Sequence, residues 1–142
     1  MLAGCSSAPP PPPPTVVYVK LVATKDVNGG APISVRVYQL GSKSSFEQAE
    51  FFPLYKTDAT ALGPDLIKKD EVLLAPGTTK VLTLSPTDPV KAIGVFAAYA
   101  RFQTATWRAD ADVPAHETTT VTATIGASEV KVASAPGKPP GS

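Results

Sequence analysis

The feature that most constrains the fold is a series of short segments in which apolar and polar residues alternate. The segments "TVVYVKLVAT" (15–24) and "ISVRVYQL" (33–40) flank a turn signal at Asn28-Gly29-Gly30, and each places branched apolar side chains on one face. Similar segments follow in the second half of the chain, without the strand–helix–strand rhythm of a parallel sheet. About eight short strands predict an all-β fold, an antiparallel two-sheet β-sandwich.

Two regions add detail to this sandwich. Residues 44–67 lose the alternation and predict a small helical insertion after the second strand, with Phe46, Phe51 and Phe52 as its own small core. The segment "AIGVFAAYARF" (92–102) is apolar on both faces, which predicts a central strand. We expect three parts: a tether over 1–14, the sandwich domain over 15–134 and a disordered tail over 135–142.

The amino terminus carries a processing motif. Leu2-Ala3-Gly4-Cys5 has the form of a bacterial lipobox and contains the only cysteine of the chain, so Cys5 is the predicted lipidation site. We expect the basic and apolar parts of a signal peptide to precede this motif in the precursor. The alternative is that Cys5 is an accidental free thiol. Ser6 occupies the position where an aspartate commonly retains lipoproteins at the inner membrane, so the outer membrane is favoured.

A run of six prolines, Pro9 to Pro14, follows the lipobox. Proline favours the polyproline II conformation, in which six residues make a semi-rigid spacer of about 19 Å. This predicts a tether that holds the domain away from a membrane surface. A proline-rich ligand for an SH3-like domain is the competing interpretation.

Charge and motif content exclude several function classes. The net charge is +1, which offers no footprint for nucleic acid. One histidine and one cysteine exclude the common zinc motifs, and no nucleophile elbow is present. His116 is expected in an exposed turn, and Arg108, Asp110 and Asp112 are expected to form a solvated charge ladder. We therefore expect no enzyme activity, no metal and no cofactor apart from the lipid on Cys5.

The order of several segments resembles a known family. "PISVRVYQL" (32–40), "FEQAEFFPLYKTDATALGPDL" (46–66), "LAPGTTKVLTL" (74–84), "IGVFAAYARF" (93–102) and "ATWRADADV" (105–113) follow the lipobox. Together they resemble the TssJ family, the outer-membrane lipoproteins of type VI secretion systems. The resemblance implies a transthyretin-like sandwich on the periplasmic face of the outer membrane. It also implies binding to the periplasmic C-terminal region of the inner-membrane protein TssM, and through it an indirect link to TssL.

The resemblance further implies which loop contacts the partner. In the family, the loop between the first two strands binds TssM, and by position it corresponds here to "KDVNGGAP" (25–32). Glycines permit unusual backbone angles there, Val27 is expected to form an apolar tip, and Lys25 and Asp26 supply charge. The predicted partner-binding residues are Lys25, Asp26, Val27, Asn28, Gly29, Gly30 and Ala31.

Two other function classes remain open at this point. A periplasmic ligand-binding lipoprotein with a transthyretin-like fold would need a concave apolar pocket with convergent polar groups. An envelope enzyme acting on peptidoglycan would require at least His116 for activity.

Overall fold

The computed structural model describes residues 9–140 and contains two four-stranded sheets. The orders are β4-β1-β7-β8 and β3-β2-β5-β6, and the two sheets pack face to face around a shared core. This confirms the predicted two-sheet sandwich. The strands are β1 (Val16–Ala23), β2 (Ile33–Leu40), β3 (Leu66–Leu74), β4 (Thr79–Leu84), β5 (Ala92–Ala97), β6 (Arg108–Asp112), β7 (Thr118–Ile125) and β8 (Val130–Pro136).

The core lies where the alternation places it. Val17, Val19 and Leu21 of β1 are fully buried, because every second side chain of a strand points to the same face. β5 is buried along its whole length. One face of β5 lies in the sandwich core, and the other contributes Ala92 and Phe96 to a second core beneath the insertion. Its continuous apolar sequence therefore reflects burial on both sides.

Strand pairing is antiparallel with one exception. β1 pairs in parallel with β7, from Val16 opposite Thr118 to Ala23 opposite Ile125, whereas its other neighbour, β4, is antiparallel. The residues joining β3 and β4 do not close a hairpin, because the two strands belong to different sheets. Alternation within single segments carries no information on these long-range pairings.

The helical insertion lies after β2, as predicted. It consists of α1 (Ser44–Gln48), α2 (Phe51–Lys56), α3 (Asp58–Leu62) and a 3₁₀ turn (Gly63–Asp65). Phe46 and Phe51 are buried against the outer face of the β2–β5 sheet. The prediction for Phe52 was wrong: its side chain is 47% exposed, because the neighbouring Phe51 occupies the buried face of α2. No helix within residues 9–140 is long and apolar enough to cross a membrane.

A polar network fastens the insertion to the sheet. The Arg36 guanidinium donates to the Leu54 carbonyl oxygen at 3.2 Å and to the Asp58 carboxylate at 3.4 Å. The Tyr38 hydroxyl donates to the same carboxylate at 3.0 Å, and Arg36 also pairs with Glu71 on β3 at 3.3 Å. Although burial weighs against the ionised carboxylate, its hydrogen bonds and the nearby cations hold the pKa of Asp58 below its ordinary value.

The carboxyl-terminal boundary lies later than expected. β8 continues to Pro136, which pairs with Thr119, and the Gly137 amide donates to the Thr118 carbonyl oxygen at 2.8 Å. The predicted tail therefore includes residues that extend the β7–β8 ladder. Cys5, the predicted lipidation site, lies outside the described residues.

Candidate functional site

The β1–β2 loop is a compact turn rather than a protruding tip. A 3₁₀ turn spans Val27–Gly29, and the Gly30 amide donates to the Val27 carbonyl oxygen at 2.7 Å. Asn28, Gly29 and Gly30 have φ angles of 51°, 69° and 89°, in the left-handed region that glycine and asparagine tolerate best. These three positive angles reverse the chain within a few residues.

The prediction that Val27 forms an apolar tip was wrong. Its side chain is fully buried and belongs to the sandwich core, because the 3₁₀ turn folds it back between the sheets. The loop residues that remain exposed are Lys25, Asp26, Gly29, Gly30, Ala31 and Pro32. Val27 thus fixes the loop, and its neighbours form the accessible surface.

Asn28 joins this loop to the β5–β6 connection. Its side-chain Oδ1 accepts from the Ala100 amide at 3.0 Å, and its Nδ2 donates to the Pro32 carbonyl oxygen at 3.2 Å. The Asn28 side chain therefore connects the β1–β2 loop to the β5–β6 connection. The sequence provides no local signal for this contact, because 72 residues separate the two partners.

Three loops meet at this end of the sandwich. The β1–β2, β5–β6 and β7–β8 connections surround a cleft of about 460 Å³, with Arg101 and Ser128 among its lining residues. The Tyr99 hydroxyl donates to the Gly126 carbonyl oxygen at 2.9 Å, and burial raises the pKa of Tyr99 to about 12. The phenol therefore stays protonated at neutral pH and holds two of the loops together. We call this surface the loop end.

The proline tether joins the opposite end of β1, which we call the anchor end. Nδ1 of His116 lies 3.0 Å from the Pro13 carbonyl oxygen, and the His116 amide donates to the Thr15 hydroxyl at 2.8 Å. His116 lies in an exposed turn, as predicted. A cleft of about 790 Å³ lies between the tether and the β4–β5 connection. Eight residues of β1 separate the two ends, which corresponds to about 26 Å.

The predicted charge ladder on β6 is partly covered. The Arg108 guanidinium donates to the carbonyl oxygens of Phe46 and Ala49 at the end of α1. Burial, together with the adjacent Glu47 carboxyl, raises the pKa of Asp110 to about 6. The prediction of a solvated ladder was wrong for Arg108 and Asp110, because the insertion lies over this face of the strand.

Comparison with known proteins identifies relatives of the sandwich and its insertion. A family described as "Type VI secretion lipoprotein, VasD, EvfM, TssJ" matches residues 15–128, and the fold and this match together define a type VI secretion lipoprotein. The crystal structure of the lipoprotein TssJ1 from Pseudomonas aeruginosa is 32% identical over 89% of this chain and 100% of that chain, with a TM-score of 0.82. The chain belongs to the TssJ family.

Other solved structures share the fold. Serratia marcescens Lip, a membrane-bound component of the type VI secretion system, is 28% identical over 84% of this chain and 96% of that chain, with a TM-score of 0.77. A chain in the structure of the "T6SS protein TssM C-terminal domain" from EAEC is 24% identical over 82% of this chain and 99% of that chain, with a TM-score of 0.66. No curated protein sequence matches the chain.

Proposed function

We propose that this protein is a lipid-anchored scaffold that tethers the periplasmic domain of a TssM-like inner-membrane protein to the outer membrane, and thereby links it indirectly to TssL. An acylated Cys5 would supply the anchor, since more than one acyl chain gives stable membrane attachment. The function is mechanical, so the protein needs no activated catalytic group.

One observation supports this role above the others. The tether enters β1 at Val16, and the β1–β2 loop leaves the same strand at Ala23. The anchor and the candidate contact surface therefore lie at opposite ends of one domain. A partner that binds the loop end would not collide with the membrane to which the anchor end is attached. A chain of the same fold in a structure named for the TssM C-terminal domain supports TssM as the class of partner.

The partner contact is tested by two substitutions that leave the loop fold intact. Lys25→Glu and Ala31→Arg alter exposed side chains of the loop end, whereas replacing Val27 or Asn28 would disturb packing. The matched control carries Lys91→Glu and Ala115→Arg at the anchor end, where both side chains are also exposed. Binding of the unlipidated full chain to the periplasmic domain of the organism's TssM-like protein is measured by biolayer interferometry.

We expect the loop-end variant to bind at least tenfold more weakly and the control to bind like the wild type. If both variants bind with the affinity of the wild type, the partner contact lies on another face of the domain. Absence of saturable binding by the wild type would refute the tethering role. A ligand-binding lipoprotein would then be tested by thermal shift against a metabolite panel.

The anchor is tested separately by Cys5→Ser, with the chain expressed behind a lipoprotein signal peptide. We expect the wild type in the outer-membrane fraction and the variant in the soluble periplasmic fraction. Equal distribution of the two proteins would contradict lipidation at Cys5.

A further inference from the structure

The insertion exposes aromatic side chains beside the loop end. Phe52 and Tyr55 on α2 are 47% and 42% exposed. Phe102 on the β5–β6 connection contacts Phe52, and the Phe51 ring between them joins Tyr55 to both. We call Phe52, Tyr55 and Phe102 the aromatic patch. Isolated exposed apolar side chains are ordinary, but a contiguous group of them marks an interaction site.

The buried Phe51 side chain and Arg36 fix the position of the aromatic patch. The buried Phe51 ring stacks on Phe102 with centroids 4.3 Å apart and on Tyr55 with centroids 5.6 Å apart. The Arg36 guanidinium lies 5.3 Å from the Tyr55 ring centre. Because these rings are already ordered by packing, a partner would lose little conformational entropy in binding them.

The patch is continuous with the loop end. Phe102 directly follows Arg101, which lines the cleft shared with Asn28. A stable interface commonly involves about 20–30 residues on each side, whereas the β1–β2 loop exposes only Lys25, Asp26, Gly29, Gly30, Ala31 and Pro32. These few residues, mostly small, are too little surface for such an interface, and the aromatic patch is the adjoining surface with the composition of a binding hot spot.

We propose that the aromatic patch is the second half of the partner interface and that it binds an apolar segment of the TssM-like periplasmic domain. This inference rests on the proposed function. The Lys56 ammonium lies 5.1 Å from the Phe52 ring centre, and Arg101 is exposed beside Phe102, while Glu50 is the exposed acid preceding α2. Two cations and one acid therefore surround the rings, and this excess of positive charge favours a partner segment with apolar side chains and a rim of carboxylates.

The test compares two double variants of the full chain. Phe52→Ser with Tyr55→Ser removes exposed rings of the patch. Leu73→Ser with Val81→Ser removes apolar side chains that are 72% and 41% exposed on the edge strands β3 and β4. Binding to the same periplasmic domain is measured by interferometry. Thermal unfolding and the emission of Trp107, which contacts Phe51 edge-on, check that the insertion stays docked.

We expect the patch variant to raise the Kd at least tenfold and the control to change it less than twofold. A patch variant that binds within twofold of the wild type would overturn the inference and leave the tethering role intact. Failure of the wild type to bind would overturn both.

A second measurement avoids any folding defect of the variants. Hydroxyl-radical footprinting of the wild-type chain reports the accessibility of Phe52 and Tyr55 directly. We expect labelling of both rings to fall severalfold when the partner domain is added, whereas labelling of Leu73 should not change. Unchanged labelling of the two rings at saturating partner would refute the inference.

Discussion

Gly94 provides a direct test of how the insertion docks on the sheet. It lies in the middle of β5, where a Cβ atom would come within 3.0 Å of two Phe46 ring carbons and 3.1 Å of a Leu40 methyl. Carbon atoms pack best at about 3.5–4.0 Å. Both neighbours are fully buried, so Gly94→Ala requires the Phe46 ring to move by about 0.5 Å or more.

Overpacking of this kind costs about 1–3 kcal/mol. For a chain of this length, that cost lowers Tm by roughly 3–12 °C. The matched control is Gly41→Ala, because a Cβ there would lie 3.6 Å from the nearest atom, the Ile67 δ1 carbon, in ordinary contact. Thermal and urea unfolding followed by circular dichroism measure both variants.

A rescue experiment isolates the cause. Phe46→Leu removes the ring that clashes, so its combination with Gly94→Ala is expected to be less destabilised than the sum of the single variants. If Gly94→Ala unfolds within 1 °C of the wild type, or at a temperature no lower than that of Gly41→Ala, the close approach of Phe46 to β5 is not a packing constraint and the reasoning fails.

Three further predictions, each tested by substitution, concern the polar contacts. Arg36→Ala should lower the free energy of unfolding by about 1.5–3 kcal/mol, because it removes the charged donor to the Leu54 carbonyl oxygen and leaves Asp58 with only Lys69 and the Tyr38 hydroxyl as partners; Lys131→Ala, in an exposed pair, should cost less than about 0.5 kcal/mol, and equal losses would contradict the network. The pKa of Asp110 is about 6 against an ordinary 3.8, so the folded state binds this proton more tightly than the unfolded state. The stabilisation from this proton is complete below about pH 4 and is lost as pH rises through 6. Because Asp110 is partly exposed, this stabilisation amounts to about 1 kcal/mol. Unfolding of Asp110→Asn relative to the wild type across pH 4–7 measures this, and a constant difference would count against it. Asn28→Ala should lower the free energy of unfolding by about 1–2 kcal/mol, because it removes two hydrogen bonds and places alanine at a positive φ. Asn28→Gly should lower it less when both variants are measured by urea unfolding. The reverse order would show that backbone strain plays no part.

Local alternation was sufficient to predict much of the fold. β2 was predicted at its observed bounds, and β1 within one residue at each end, because both strands bury one face and expose the other. The double burial of β5 was also visible in its continuous apolar sequence. These features depend on side chains within one segment, so the sequence alone reveals them.

Features that depend on distant residues were not predictable. Val27 looked like an exposed apolar tip because a short loop pattern does not show that a 3₁₀ turn folds it inward. Arg108 and Asp110 looked solvated because their cover, α1, lies about sixty residues earlier in the chain. The contact of Asn28 with Ala100 likewise follows only from the meeting of two loops in space.

The parallel pairing of β1 with β7 has a consequence for the proposed role. If the membrane anchor pulls on the start of β1 while the partner holds the β5–β6 and β7–β8 connections at the loop end, the force acts along β1 relative to its neighbouring strands. Ladder hydrogen bonds lie across the strand direction, so such a force strains all of them together in shear and does not open them one by one. β1 pairs over eight residues with β7 and over six with β4, and its apolar face is fully buried at Val17, Val19 and Leu21. An edge strand would have only one ladder. The parallel partner, which the alternation did not predict, therefore gives the strand between anchor and contact surface a second ladder and suits it to carry load.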